Sequence, residues 1–397
     1  MSDLKLTYPS LNNAPDKYPV QLVGLREAAI RISSEKFTNS SNENLHSIDT
    51  YLKYASGLMA VIHEEPVLLK LLSTDLTVTL VNCSTFYSKV TTALLQRAYT
   101  SNDPKSKLWV SAGQEVKKGL GLLQFLEKTL NNQSVGSIHS SVIREQIENL
   151  QILSQLTVIT LSLLKLKHVM SNPMTTKLEL QTNSISSTAT SCVFNTKLCL
   201  GCLNNASGLR MQGFINQQLL AFLEGCAFLL MSIDEFKSNE TGISIGMLEQ
   251  TINFYSKIIP RTEITQSILE KENSTRSTKF SLRKKKELLK NKMHHTLSKT
   301  KQVTSNIGPG LSNTKLLPVL NVILHDFLIP LIQLLRYVYK QTNEKLTFKP
   351  IESDMSTLTS RLPSGISPTV TGTDWKFENE VLQISEPTIN ALDSSYF

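Results

Sequence analysis

The strongest constraint on this chain is the spacing of its apolar residues. They recur every three or four positions, the period of a helix that buries one face. Leu45, Ile48, Leu52, Ala55, Met59 and Ile62 make one stripe. Leu76, Leu80, Cys83, Tyr87, Val90 and Leu94 make a second, despite interspersed Thr and Val that locally favour strand. Trp109, Ala112, Val116, Leu120, Leu123, Leu126 and Leu130 make a third. Ile143, Ile147, Leu150, Leu153, Leu156 and Leu163 make a fourth, predicted to run over 138–170 and to stop before Pro173, whose ring lacks an N–H. Polar residues from Ser171 to Ser191 read as a loop. Helical spacing returns at 193–206, through Phe214 to Phe236, from Ile243 to Pro260, over 282–297, and from Leu316 to Lys340 with a break or kink at Pro330. After Phe348 the Ser, Thr and Pro content predicts an extended or disordered end.

Long helices with short connections predict an all-α fold of antiparallel pairs, a bundle or a solenoid. Sixteen glycines and fourteen prolines in 397 residues are too few for a turn-rich β sandwich. No 34-residue helical repeat is evident.

Charge is distributed unevenly. Lys and Arg total 41 against 33 Asp and Glu. The segment from Glu270 to Gln302 holds eleven Lys/Arg and three Glu, which is the whole excess of 8. From Pro363 to Phe397 there are five acids and one Lys. The chain is therefore a near-neutral body with one basic segment and one acidic tail. Arg283, Lys284, Lys285 and Lys286 suit an acidic protein or an anionic membrane surface. Apart from Phe280 the segment lacks interleaved aromatics, so nucleic acid is not the expected partner.

Targeting and redox signals are sparse. The first twenty residues contain no apolar core of a signal peptide. Five cysteines, an odd number, argue for a reducing compartment, and the expected location is the cytoplasm. Leu316–Leu335 is the most apolar stretch, but it contains Asp326, and an Asp costs about 2.5–3.5 kcal/mol at a bilayer centre. A buried helix is the expected reading.

Chemical motifs are equally thin. Gly242-Ile243-Ser244-Ile245-Gly246 has the letters of a nucleophile elbow, but the polar run before it supplies no strand, so it reads as a helix N-terminus. Cys199-Leu200-Gly201-Cys202 has CxxC spacing without a second ligand pair, and its leucines point to cysteines packed as small apolar residues. Neither a Walker A, an HExxH nor a dinucleotide fingerprint is present. The expectation is a protein that is not an enzyme, with no metal and no cofactor.

Several stretches resemble the BRO-type domain, the helical domain of Alix, and its fungal PalC-type relatives in ambient-pH signalling. Tyr51-Leu52-Lys53-Tyr54 through Glu64-Glu65-Pro66, the helix Val116 to Lys128, Leu153-Ser154-Gln155-Leu156, Cys202-Leu203-Asn204-Asn205-Ala206 and Gly242 to Leu248 each look like a motif of that family. Leu346-Thr347-Phe348-Lys349-Pro350-Ile351 followed by Arg361-Leu362-Pro363-Ser364-Gly365 resembles the PalC-type ending. The stretch Thr157 to Leu163 departs from the family pattern, lacking its Ala and Gln.

The resemblance implies an elongated, curved domain of TPR-like helical hairpins over 1–365, with room for a short N-terminal β element. Residues 366–397 would be a flexible acidic tail. It implies a non-enzymatic adaptor that binds the C-terminal helix of the ESCRT-III core subunit. That adaptor would act with other Pal/Rim components in alkaline-pH signalling, which leads to proteolytic activation of a transcription factor. Recruitment would be to endosomal or plasma-membrane ESCRT sites. The family register puts a concave partner patch at Lys165, Leu166, Leu198 and Cys202, with Lys165 and Cys202 departing from the family's residue types. The alternative reading is a helical protein that binds phosphoinositide or nucleic acid through 276–301.

Overall fold

The computed structural model describes residues 6–9, 18–34, 41–131, 137–171, 185–211, 213–265 and 315–377. Helices dominate them, and no β-strand forms among the described residues. The helices are α1 (Val20–Ser34), α2 (Ser41–Glu64), α3 (Leu69–Thr100), α4 (Lys107–Asn131) and α5 (Ser137–Ser171). They continue as α6 (Ile185–Ser207), α7 (Gln217–Lys237), α8 (Thr241–Tyr255), α9 (Arg261–Thr265), α10 (Pro318–Thr347) and α11 (Met355–Ser360). Two compact units share them. A smaller one comprises 4–90, 117–147 and 371–397, and a larger one 91–116 and 148–370 together with the first three residues. The divisions fall within α3, α4 and α5.

The apolar stripes mostly form the core. Every member of the α4 stripe from Trp109 to Leu130 is buried. In α2 the stripe is broader than its leucines suggest. Tyr51, Tyr54 and Leu58 are buried, whereas Leu45 is exposed. In α3 Leu95 takes the core position expected of Leu94. Seven residues at the start of α6, expected to be loop, are helical.

In the larger unit, α6 packs on α7 and α7 on α8. Phe228 meets Phe254 at 5.4 Å between ring centres, and Phe236 stacks on Tyr339 of α10 at 4.4 Å. Gly225 gives the Tyr255 ring its place, since a Cβ there would fall 2.2 Å from ring carbon Cε1.

Pro330 does not break α10. The irregularity precedes it, as a wide π-turn over Leu324–Leu328 closed by Ile329 N–H donating to Leu324 O. An extra residue in that turn removes the backbone bond that Pro330 cannot make and eases the clash with the preceding turn.

The extended chain after α10 is held on helices through their glycines. A Cβ on Gly242 would lie 1.9 Å from Pro350 O, and one on Gly246 2.0 Å from Glu352 O. The two glycines of the elbow-like motif thus form a furrow along α8. Ser244 between them is buried in the first helical turn and donates to Glu240 O. Asn343 clamps the start of this chain. Its Oδ1 accepts from Lys349 N–H and its Nδ2 donates to Lys349 O, each at 2.9 Å. Asp354 caps α11, accepting from Ser356 Oγ and from Thr357 N–H.

The same device recurs beyond residue 365, where a flexible tail was expected. Ile366 N–H donates to Lys197 O, Ser367 Oγ donates to Gly201 O, and a Cβ on Gly201 would meet Ile366 O at 2.0 Å. In the smaller unit Thr373 N–H donates to Lys117 O, Gly372 N–H to Gln124 Oε1, and Trp375 sets its edge on Phe125 at 4.9 Å. Residues 366–377 are therefore a strap with specific backbone contacts. The remainder of the acidic segment, 378–397, lies outside the described residues.

Candidate functional site

The structure separates the four residues placed in the partner patch. Lys165 is exposed on α5, but Leu166 is 3% exposed, Leu198 5% and Cys202 fully buried. Three of the four are core residues of the larger unit. The correction has a simple cause. A motif register locates a residue along a helix but not the side of the helix that a distant segment covers. Here the strap lies on α6 at Lys197 and Gly201, beside Leu198 and Cys202.

The accessible surface is carried by neighbours that the register passed over. Val158 and Val169 of α5 are 45% and 42% exposed, and Phe194 of α6 is 54% exposed. With Lys165 the two valines occupy positions seven and four residues apart, one face of a helix. Gln155 of α5 lines one cleft with Asn205 of α6 and with Gly208 just beyond that helix.

Directly beneath this face, Lys167 points the other way. Its Nζ lies 2.5 Å from Asp326 Oδ2 in the π-turn of α10, with side chains 7% and 11% exposed. Tyr99 OH donates to the same carboxylate at 3.4 Å, and the ammonium stands 5.1 Å from the centre of the Tyr99 ring. The pair fixes α5 against α10 and so fixes which residues of α5 face outward. No local pattern identifies Lys167 as the buried lysine and Lys165 as the exposed one.

The shared cleft holds about 340 Å3, lined also by Glu148, Gln151 and the strap residues Ser367 and Pro368. Gln155 is 7% exposed, and its Oε1 has no hydrogen-bond partner among the described residues.

The thiols are inert. All five cysteines are free and buried. Burial pushes the Cys202 and Cys192 thiols up to about 12 and keeps them protonated. A hydrogen bond with Cys226, followed by burial, raises Cys199 well above the usual thiol range. Among the described residues no group of three or more His, Cys, Asp or Glu could hold a metal ion. Arg283, Lys284, Lys285 and Lys286 lie outside the described residues.

Three helices are long and apolar enough to cross a membrane by length and composition, Pro66–Thr100, Ser140–Met170 and Pro318–Thr347. More than half of each apolar window is buried inside the protein itself.

Residues 70–397 match a family of unknown function, DUF5355. The chain is 31% identical over 396 residues to the uncharacterized protein YGR122W of Saccharomyces cerevisiae, an alignment that covers 97% of this chain and 96% of the yeast protein. No solved structure matches it.

Proposed function

The chain belongs to the family of unknown function DUF5355, and we propose that it is a non-enzymatic adaptor that captures an amphipathic helix on the α5–α6 face. The motif resemblance to BRO-type domains of the PalC type suggests the partner, the C-terminal helix of the ESCRT-III core subunit. It also suggests the setting, Pal/Rim signalling at alkaline pH from the cytoplasm, with recruitment to endosomal or plasma-membrane ESCRT sites. One observation carries the reading. Val158, Lys165 and Val169 lie exposed along one face of α5, Lys167 on its other side pairs with Asp326, and Phe194 is exposed on α6. Apolar anchors at helical spacing take up a partner helix, and the Lys165 ammonium suits an acidic one.

The test is titration of that partner helix, as a labelled peptide, into the full chain. Phe194→Asp and Val169→Asp should each weaken binding at least tenfold without shifting the melting temperature by more than a few degrees. No binding by wild type, or unchanged binding by both variants, rejects the face. Leu198→Asp is the wrong probe, because it puts a charge in the core. A second reading follows from the concentration of charge between Glu270 and Gln302. Attachment to an anionic membrane through Arg283–Lys286 would fall steeply with salt and with neutralisation of Lys284, Lys285 and Lys286, leaving helix capture intact.

A further inference from the structure

In the smaller unit a short N-terminal segment lies on a cleft of polar side chains. Residues 6–9 run in extended form against α1, α2 and α3, with Leu6 and Tyr8 turned inward and Thr7 and Pro9 exposed. That alternation is the period of an extended peptide laid on a surface. Asn82 of α3 grips the Leu6 backbone at both ends. Leu6 N–H donates to Asn82 Oδ1 and Asn82 Nδ2 donates to Leu6 O, each at 3.0 Å. Tyr8 OH is 3.1 Å from Thr79 Oγ1, and its ring lies 6.0 Å from that of Tyr54. The Arg26 guanidinium stands 5.6 Å from the centre of the Tyr8 ring and donates to Pro9 O.

Arg26, Tyr54 and Asp75 are organised without the segment. Asp75 accepts from Arg26 Nε at 2.7 Å and from Tyr54 OH at 2.6 Å, and Tyr18 OH, 3.2 Å from the same carboxylate, donates to Tyr54 OH. Arg26 and Asp75 are buried, their side chains 7% and 4% exposed. None of these bonds involves residues 6–9. Among the described residues the segment adds two carboxamide bonds to Leu6, one bond accepted by Pro9 O and the tyrosine anchor. Backbone bonds that accept any residue, combined with a pocket for one side chain, are how extended peptides are recognised.

We propose that Arg26, Tyr54, Asp75, Thr79 and Asn82 form a binding site for extended peptides of the pattern apolar-x-Tyr-Pro, and that Leu6–Pro9 is its occupant in cis. A tethered occupant acts at an effective concentration in the millimolar range, so a partner peptide binds only as the segment leaves.

Fluorescence anisotropy with a labelled peptide spanning residues 4–11 tests this on the full chain. Tyr8→Ala removes the cis anchor, and Leu6→Pro removes the N–H that Asn82 accepts. Both leave every cleft side chain in place. Each variant should bind the peptide at least tenfold more tightly than wild type does. Adding Asn82→Ala should weaken that binding at least tenfold, and a peptide with alanine in place of its tyrosine should not bind. Folded Tyr8→Ala and Leu6→Pro chains that bind no peptide would overturn the proposal, as would equal binding of the alanine peptide.

Discussion

Lys167 Nζ meets Asp326 Oδ2 across 159 residues of sequence, and neither side chain is more than 11% exposed. Both charges were taken out of water, so the pair holds only while both partners remain. Lys167→Met should cost about 3–5 kcal/mol, because it strands a buried carboxylate. Adding Asp326→Leu should recover most of that loss. Urea unfolding of the two single variants and the double variant measures the coupling. A cost below about 1 kcal/mol for Lys167→Met would show that water reaches the pair.

Glycine position separates two opposite effects. A Cβ on Gly113 in α4 meets nothing within 4 Å, so Gly113→Ala should stabilise by about 0.5–1 kcal/mol through helix propensity. Gly246→Ala carries the same propensity gain but drives a methyl group into Glu352 O, and should destabilise by about 1–3 kcal/mol. Thermal melts of the pair decide it. A gain from both would mean that the chain at 350–352 lifts from α8 freely.

His325 gives the larger unit a pH-dependent term. Burial lowers its pKa below the ordinary value of 6.5, opposed by the nearby Glu263 carboxylate. The native state then binds fewer protons than the unfolded state as pH falls below about 6.5. Its contribution is fully present above that pH and is lost progressively below it. Stability measured at pH 8 and pH 5.5 should fall more for wild type than for His325→Gln. Equal falls would assign the loss to other groups.

The thiols provide a check on packing. With all five cysteines buried, a disulfide-exchange reagent at pH 8 should label none within minutes in the native protein and all five in denaturant. Rapid native labelling of Cys199 or Cys202 would place the CxxC pair at the surface.

The helices were legible because each is written locally, in apolar spacing over about four turns. The α4 stripe was recovered residue by residue, and the helical reading of 242–246 agrees with the start of α8. Other features were not legible because they are made by backbone or by distant partners. Nothing near Gly242 or Gly246 states that residues 350–352 will lie on them. Leu198 carries the letter of a patch residue, but the packing of α6 decides its exposure. Lys165 and Lys167 are equivalent in pattern, and only Asp326, far along the chain, separates them. Leu6–Pro9 carried no periodic signal, and its partner Asn82 lies 76 residues away.

The strap also sets an order of assembly. Ser367 reaches Gly201 over 166 residues and Gly372 reaches Gln124 over 248, among the longest loops that the fold must close. Loop closure of that length is entropically costly and slow to find. Helical hairpins close shorter loops and should pair first, so the furrows floored by Gly121 and Gly201 should receive their closing backbone bonds last.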